Sequence, residues 1–336
     1  MRWLAFTRSS EWWGFKLPLF FSIGYFVILQ TPTLPIFSVL SHLFILVLGL
    51  IIGAVYVSVI NDLTDLKIDF ASNKANRLEQ ISPLGRVIIL SVCILMGILF
   101  VYFFLSSSIS KFFYIAAWVA FSLYSIPPFR LKNKAAWGVL ADACGSNVFP
   151  NLCIAAGMGE FCGIELSVFQ YVFIAIWSLC YGLRGILWHQ YVDVQNDLLV
   201  KINTLASKVD RSIIKKFEIP ILSIEVLAFC LFNVTVGFWS VILTLLVYFI
   251  FVFLVATYQN MSNAIILVGD DKPWIFLMGS FYQSFWPILL IVLLGLKIPS
   301  FFILIPIHFI LFPQDFLSNF KIGRGLILYF VKYRPR

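Results

Sequence analysis

Ten apolar stretches divide the chain, near residues 17–30, 36–60, 86–105, 111–126, 136–158, 167–190, 219–236, 238–258, 275–296 and 299–313. Most approach the roughly 20 residues that a helix needs to cross the hydrocarbon core of a bilayer. The first and last are shorter and suit tilted, re-entrant or interfacial segments. Lipid supplies no water to unpaired backbone groups, and the runs are continuous rather than alternating, so helices are predicted and not barrel strands. The pattern therefore predicts an all-α polytopic membrane protein, a bundle of nine to ten transmembrane helices. Residues 1–336 are read as a single transmembrane domain, with no soluble segment long enough to fold alone.

Polar residues are sparse, and two places concentrate them. Asn61-Asp62-Leu63-Thr64-Asp65-Leu66-Lys67-Ile68-Asp69 follows the second apolar run, and Asp193-Val194-Gln195-Asn196-Asp197 follows the sixth. They hold five of the 16 Asp and Glu in the chain. On a helix, Asp62, Asp65 and Asp69 recur at i, i+3 and i+7, and Asp193 and Asp197 at i and i+4, so each set projects from one face. Carboxylates stacked in this way repel each other unless a cation lies between them. Hard oxygen ligands that leave room for phosphate oxygens suit Mg²⁺. Most acids beside a membrane helix are merely solvated loop charges, but two clusters of one form on one side of the membrane argue against that reading here.

Composition supports the membrane assignment: 61% of residues are hydrophobic, 12% are charged and the mean hydropathy is +0.96. The net charge of +8 is not a nucleic-acid footprint. With ten spans, 21 of the 24 Lys and Arg fall on the N-terminal side of the membrane. By the positive-inside rule that side, with both acidic clusters and the basic tail, is cytoplasmic. The same charge attracts anionic lipid. Six cysteines, mostly within apolar runs and without CxxC or metal-ligand spacing, read as small apolar packing residues. No removable signal peptide is expected, because no small-residue cleavage site follows the first apolar run. The order "apolar span, aspartates, basic loop" recurs after about 130 residues, which hints at two related halves.

Cations accompany the aspartates. Asn73, Lys74, Asn76 and Arg77 form a polar loop after the first cluster. Between the fourth and fifth runs, Tyr124-Ser125-Ile126-Pro127-Pro128-Phe129-Arg130-Leu131-Lys132 ends a helix at two prolines and presents two cations in a rigid turn. Lys201, Thr204 and Lys208 follow the second cluster. Carboxylates to hold a metal and cations to hold anionic oxygens are the two halves of a diphosphate site.

In these motifs the sequence resembles the UbiA superfamily of intramembrane prenyltransferases. NDxxDxxxD is matched by Asn61, Asp62, Asp65 and Asp69; NxxNR by Asn73, Asn76 and Arg77; YSxPPxRLK by Tyr124, Ser125, Pro127, Pro128, Arg130, Leu131 and Lys132; and DxxxD by Asp193 and Asp197. The resemblance covers roughly residues 15 to 260. It departs from the family pattern at Leu66, where Arg is common and Lys67 stands one place later, at Leu78, where Pro is usual, and at Lys201, where Gly is usual. The family fold usually has nine spans, so the tenth run and the basic tail are additions.

The resemblance implies a prenyltransferase domain whose lateral, lipid-accessible cavity binds an isoprenyl diphosphate through Mg²⁺. Asn61, Asp62 and Asp65 are then expected to form one metal site and Asp193 and Asp197 the other, with Asp69 ligating or orienting. Lys67, Arg77, Arg130, Lys132 and Lys208 are the candidate diphosphate cations, with Asn73 and Tyr124 also in the substrate site. His189 lies one turn before Asp193 and is placed to relay a proton from a small-molecule acceptor or to orient the metal ligand. Arg184, nine residues before Asp193, falls on the opposite helical face, so a structural partner on another helix is expected. Abundant aromatics suit a prenyl cavity and helix packing alike. A terpene cyclase of the same fold is the alternative, which the complete first motif disfavours. A transporter is disfavoured because these acids lie at the membrane rim and not at its midplane.

Overall fold

The computed structural model describes residues 7–31, 34–71, 75–199, 202–269 and 273–332. Its helices are α1 (Ser9–Gln30), α2 (Ile36–Ala71), α3 (Pro83–Phe104), α4 (Ser108–Ser125), α5 (Ala136–Ala143), α6 (Phe149–Cys162), α7 (Val168–Leu199), α8 (Arg211–Val234), α9 (Ser240–Tyr258), α10 (Trp286–Lys297), α11 (Leu304–Leu311) and α12 (Pro313–Lys332). A π-helical turn, Cys144–Val148, joins α5 to α6, and a second, Phe281–Phe285, precedes α10. The connection from α9 to α10 holds two short parallel strands, β1 (Ser262–Ala264) and β2 (Trp274–Phe276), with Ser262 opposite Trp274.

Each apolar run predicted from the sequence is helical over most of its length. Among the described residues, seven helical units are long and apolar enough to cross a membrane. The α5–α6 unit is one of them, at 27 residues. The chain is therefore an integral membrane protein. Helix starts follow local chemistry: Ser82 caps α3 ahead of Pro83, Ser107 caps α4 and Asp210 caps α8, each accepting hydrogen bonds from first-turn amides. Helix α1 is apolar all round, and every residue from Leu17 to Leu29 is buried, which makes it the central helix. Around it, Trp177, Phe229, Phe232 and Trp286 pack edge to face or tilted at centroid distances of 4.9–5.8 Å.

Two features position the site. Helices α2 and α7 outlast their apolar runs and continue through Ala71 and Leu199, so both aspartate clusters stand on helix and not on loop. Arg184 meets the partner expected of it: its Nε and Nη2 donate to Glu225 of α8 at 2.6 and 2.8 Å. Its remaining N–H groups reach the carbonyls of Ile265 and Leu277, and its guanidinium lies 4.7 Å from the centre of the Phe276 ring. This fully buried pair locks α7, α8 and the strand-bearing loop together, away from the aspartates.

The last segment runs back along α1. Lys297 Nζ donates to Leu29 O near the C-terminal end of α1, Tyr25 OH is 3.5 Å from His308 Nδ1, and Trp13 Nε1 donates to Leu311 O near its N-terminal end. Five residues of 3₁₀ turn and eight of α-helix cover roughly 22 Å, most of the hydrocarbon thickness. The chain then bends by 91° into α12, which docks through Asn319 on Ser284 and through a Gln259 bond to Ile322 O.

Candidate active site

The first cluster is organised around Asp62, whose side chain is 2% exposed. One of its oxygens accepts from Arg8 Nη2 at 2.6 Å, while Oδ2 is buried with no hydrogen-bond partner among the described residues. Asn76 staples the cluster: its Nδ2 donates to Asp62 O at 2.8 Å and to Asp69 Oδ2 at 2.7 Å, and its Oδ1 accepts from Leu78 N. Asp65 is gripped by the Pro-Pro turn, with Arg130 Nη2 at 2.5 Å and Lys132 Nζ at 2.6 Å from both carboxylate oxygens. Asn61 Oδ1 accepts from Ser125 Oγ at 2.7 Å and from Lys132 Nζ at 3.3 Å.

The backbone of this turn supports the grip. Arg130 has φ 37°, a left-handed conformation that a non-glycine residue keeps only where its surroundings hold it. Gly138 of α5 lets the turn close on the helix, since a Cβ there would lie 2.7 Å from Leu131 O. Burial lowers the Lys132 pKa from its ordinary value, and the Asp65 carboxylate opposes the shift. Its ammonium is therefore a desolvated cation with strong electrostatic reach.

The second cluster is more open. His189 Nε2 lies 3.7 Å from Asp193 Oδ2, with the two side chains 63% and 40% exposed. Asp197 lies on α7, but its side chain is outside the described residues, as are Asn73 and Lys201. The loop after α7 folds back on it: Gln190 Oε1 accepts from Leu205 N and Ala206 N, and Tyr191 OH donates to Val209 O. Ala135 N donates to Asn203 O, which ties this loop to the Pro-Pro turn and links the two halves of the site.

The remaining sequence candidates scatter around this centre. Arg77 Nη2 is bonded to Glu11 at 2.6 Å, within electrostatic range of Asp62. Lys208 is exposed on the 202–210 loop. Tyr124 ends α4 with its ring against Phe121. Lys67 is exposed and lines a shallow groove with Leu66, Phe70, Asn76, Glu79 and Arg86, on a different flank of α2 from the Asp65 contacts.

Arg8 was not predicted for the site. The sequence presents it as one topological charge among many, and only the structure brings it across 54 residues onto Asp62. Lys16, also counted with the loop charges, instead lies on α1 and reaches Ser146 and Asn147.

The profile of the UbiA prenyltransferase family matches residues 17–265. The chain belongs to this family. Among solved structures, a UbiA homolog from Archaeoglobus fulgidus bound to GPP and Mg²⁺ superposes with a TM-score of 0.60 at 14% identity, covering 93% of this chain and 100% of that one. The same homolog bound to DMAPP and Mg²⁺ gives 0.61 at 14% identity, over 88% of this chain and 99% of that one. At this identity the likeness establishes the shared fold. No curated protein matches the sequence significantly.

The residues of this UbiA-family chain fit a divalent cation. A buried carboxylate oxygen without a partner is costly unless something polar occupies its lone pairs, and Asp62 Oδ2 is such an atom. Among the described residues no three His, Cys, Asp or Glu side chains are gathered as a closed metal cage. Carboxylates tied individually to Arg8, Arg130, Lys132 and Asn76 suit an open site, in which a ligand's oxygens would complete the coordination of a bound ion.

Proposed function

We propose that the protein transfers an isoprenyl chain from its diphosphate to a small polar acceptor, most often aromatic in this family, with Mg²⁺ as cofactor. The observation that carries this reading is the convergence of Arg8, Arg130 and Lys132 on Asp62 and Asp65 at one rim of the bundle. An acidic cluster matched by fixed cations suits a metal diphosphate, and the A. fulgidus homologs that share the fold bind GPP and DMAPP with Mg²⁺. Asn61, Asp62, Asp65 and Asp69 would hold one ion, and Asp193 and Asp197 the second. When bound, Mg²⁺ supplies positive charge to the leaving diphosphate.

The chain's own residues do the rest. Arg130 and Lys132 are positioned to exchange their Asp65 contacts for diphosphate oxygens, and stabilise the charge that grows there as the allylic bond breaks. Arg8 orients Asp62 through its hydrogen bond to one carboxylate oxygen. Asn76 fixes the spacing between Asp62 and Asp69. Lys67, Arg77 and Lys208 stand farther out and suit capture of the diphosphate rather than its cleavage. In this reading the whole chain acts as one unit, with the site facing the cytoplasm, an orientation that the distribution of Lys and Arg supports.

The test is acceptor dependence. Membranes holding the protein, given geranyl diphosphate with and without a panel of phenols and alcohols, should release diphosphate only with an acceptor. The product mass should equal prenyl plus acceptor minus a proton. Stoichiometric cyclised hydrocarbon formed without any acceptor would identify a cyclase instead.

A further inference from the structure

Below the aspartates, the bundle interior holds two ionisable residues that diphosphate chemistry does not use. Lys16 lies eight residues past Arg8 on α1, so it sits roughly 12 Å deeper. Its Nζ donates to Asn147 Oδ1 at 3.0 Å and to Ser146 Oγ at 3.3 Å on the π-helical turn. Asp142, on the last turn of α5, accepts from the same Ser146 Oγ at 3.4 Å. The ammonium and the carboxylate thus face each other across one hydroxyl. Asp142 also lies within electrostatic range of His189, whose Nε2 is 3.7 Å from Asp193 Oδ2. One wall is tight, since a Cβ on Gly182 of α7 would lie 2.7 Å from Asn147 Nδ2. Lys16 and Asp142 lie among the helices, and both keep partial exposure.

Charges inside a membrane bundle are expensive, and they are kept where they bind something. We infer that this Lys16–Asp142 nest receives the prenyl acceptor, and that the end of the acceptor seated there is an uncharged hydroxyl of a phenol or alcohol. The inference rests on the prenyl-transfer reading above. A hydroxyl accepts from an ammonium and donates to a carboxylate at the same time. Ser146 already does so in this position. A carboxylate or phosphate would satisfy Lys16 but would meet Asp142, and an amine cation would meet Lys16. The nest therefore selects by excluding both signs of charge, with Asp142 as the element that rejects acidic acceptors. Lys16 and Asp142 are positioning residues in this scheme.

The experiment uses the full chain in lipid nanodiscs with Mg²⁺ and a non-hydrolysable geranyl thiodiphosphate in excess. Calorimetry then compares hydroquinone, which is neutral, with terephthalate, which has the same ring with a carboxylate in place of each hydroxyl. Hydroquinone should bind at least roughly tenfold more tightly, because the anion meets a carboxylate in a poorly screened interior. Asp142→Asn, which keeps the shape and the Ser146 contact, should bring the two ligands to within about threefold. Equal or tighter binding of terephthalate to the unsubstituted protein, binding of neither ligand, or a ratio indifferent to Asp142 would each overturn the inference. Discrimination is read first on the unsubstituted protein, so a variant that fails to fold leaves the test intact. Metal-dependent binding of the analogue is measured beforehand. Its absence overturns the prenyl-transfer reading and this inference together, whereas its presence with a preference for the carboxylate overturns this inference alone.

Discussion

Asp62 is nearly buried and has one cation, Arg8, on one of its oxygens. Removing that cation leaves a desolvated carboxylate, whereas removing the carboxylate's charge as well leaves nothing to compensate. Arg8→Ala should therefore destabilise the protein by roughly 1–3 kcal/mol, below the 3–5 typical of a broken fully buried pair because Arg8 keeps 28% exposure. Adding Asp62→Asn to Arg8→Ala should recover most of that loss in thermal unfolding. Additive losses in the double variant would show that the contact carries no coupling. At this scale the sequence was legible for Asn61, Asp62, Asp65, Arg130 and Lys132, because motif spacing on a helix and a Pro-Pro turn constrain where those side chains point. Arg8 was not legible, since its role depends on a contact across 54 residues and its charge is also what membrane topology demands. Asp142 did carry a signal: an acid within the predicted 136–158 span is rare enough to call for a partner.

Among the elements, the extension of α2 and α7 beyond their apolar runs was foreseeable from the i, i+3, i+7 and i, i+4 spacing of the aspartates. The two π-helical turns were not, because nothing in hydropathy marks where a helix takes one extra residue per turn. One of them carries Ser146 and Asn147, so the polar nest was hidden with it. The Arg184–Glu225 clamp lies between elements and outside the chemistry, which makes its effect separable from catalysis. Glu225→Gln should cost roughly 3–5 kcal/mol, because it strands a fully buried guanidinium, while turnover per folded molecule stays the same. A fall in turnover per folded molecule, with thermal stability retained, would place the clamp in the reaction instead.

For the whole molecule, hydropathy located the helical segments as far as α11, but neither α12 nor how the chain closes. The 299–313 run was predicted as a tenth crossing that returns the C-terminus to the side of the aspartates. Contacts of Lys297, His308 and Leu311 along α1 agree with a return path, and the 91° bend then turns α12 across the bundle, which no periodicity announces. Exposed Leu317, Phe320, Ile327 and Leu328 beside Lys321 and Arg324 suit a helix lying at headgroup depth. A cysteine introduced at the C-terminus should accordingly be labelled from the same side as one in the 202–210 loop. Labelling from opposite sides would show that the segment before α12 does not cross.

The most direct measurement is diphosphate release from geranyl diphosphate, with a reactive acceptor present, as Mg²⁺ is titrated against the unsubstituted protein and against Asp62→Asn and Asp193→Asn. If the two aspartate clusters hold the metal diphosphate, release by the unsubstituted protein requires Mg²⁺, and each variant loses at least roughly a hundredfold in turnover while its thermal unfolding stays cooperative. Near-normal release by either variant at limiting Mg²⁺, or release by the unsubstituted protein without any divalent ion, would contradict the assignment.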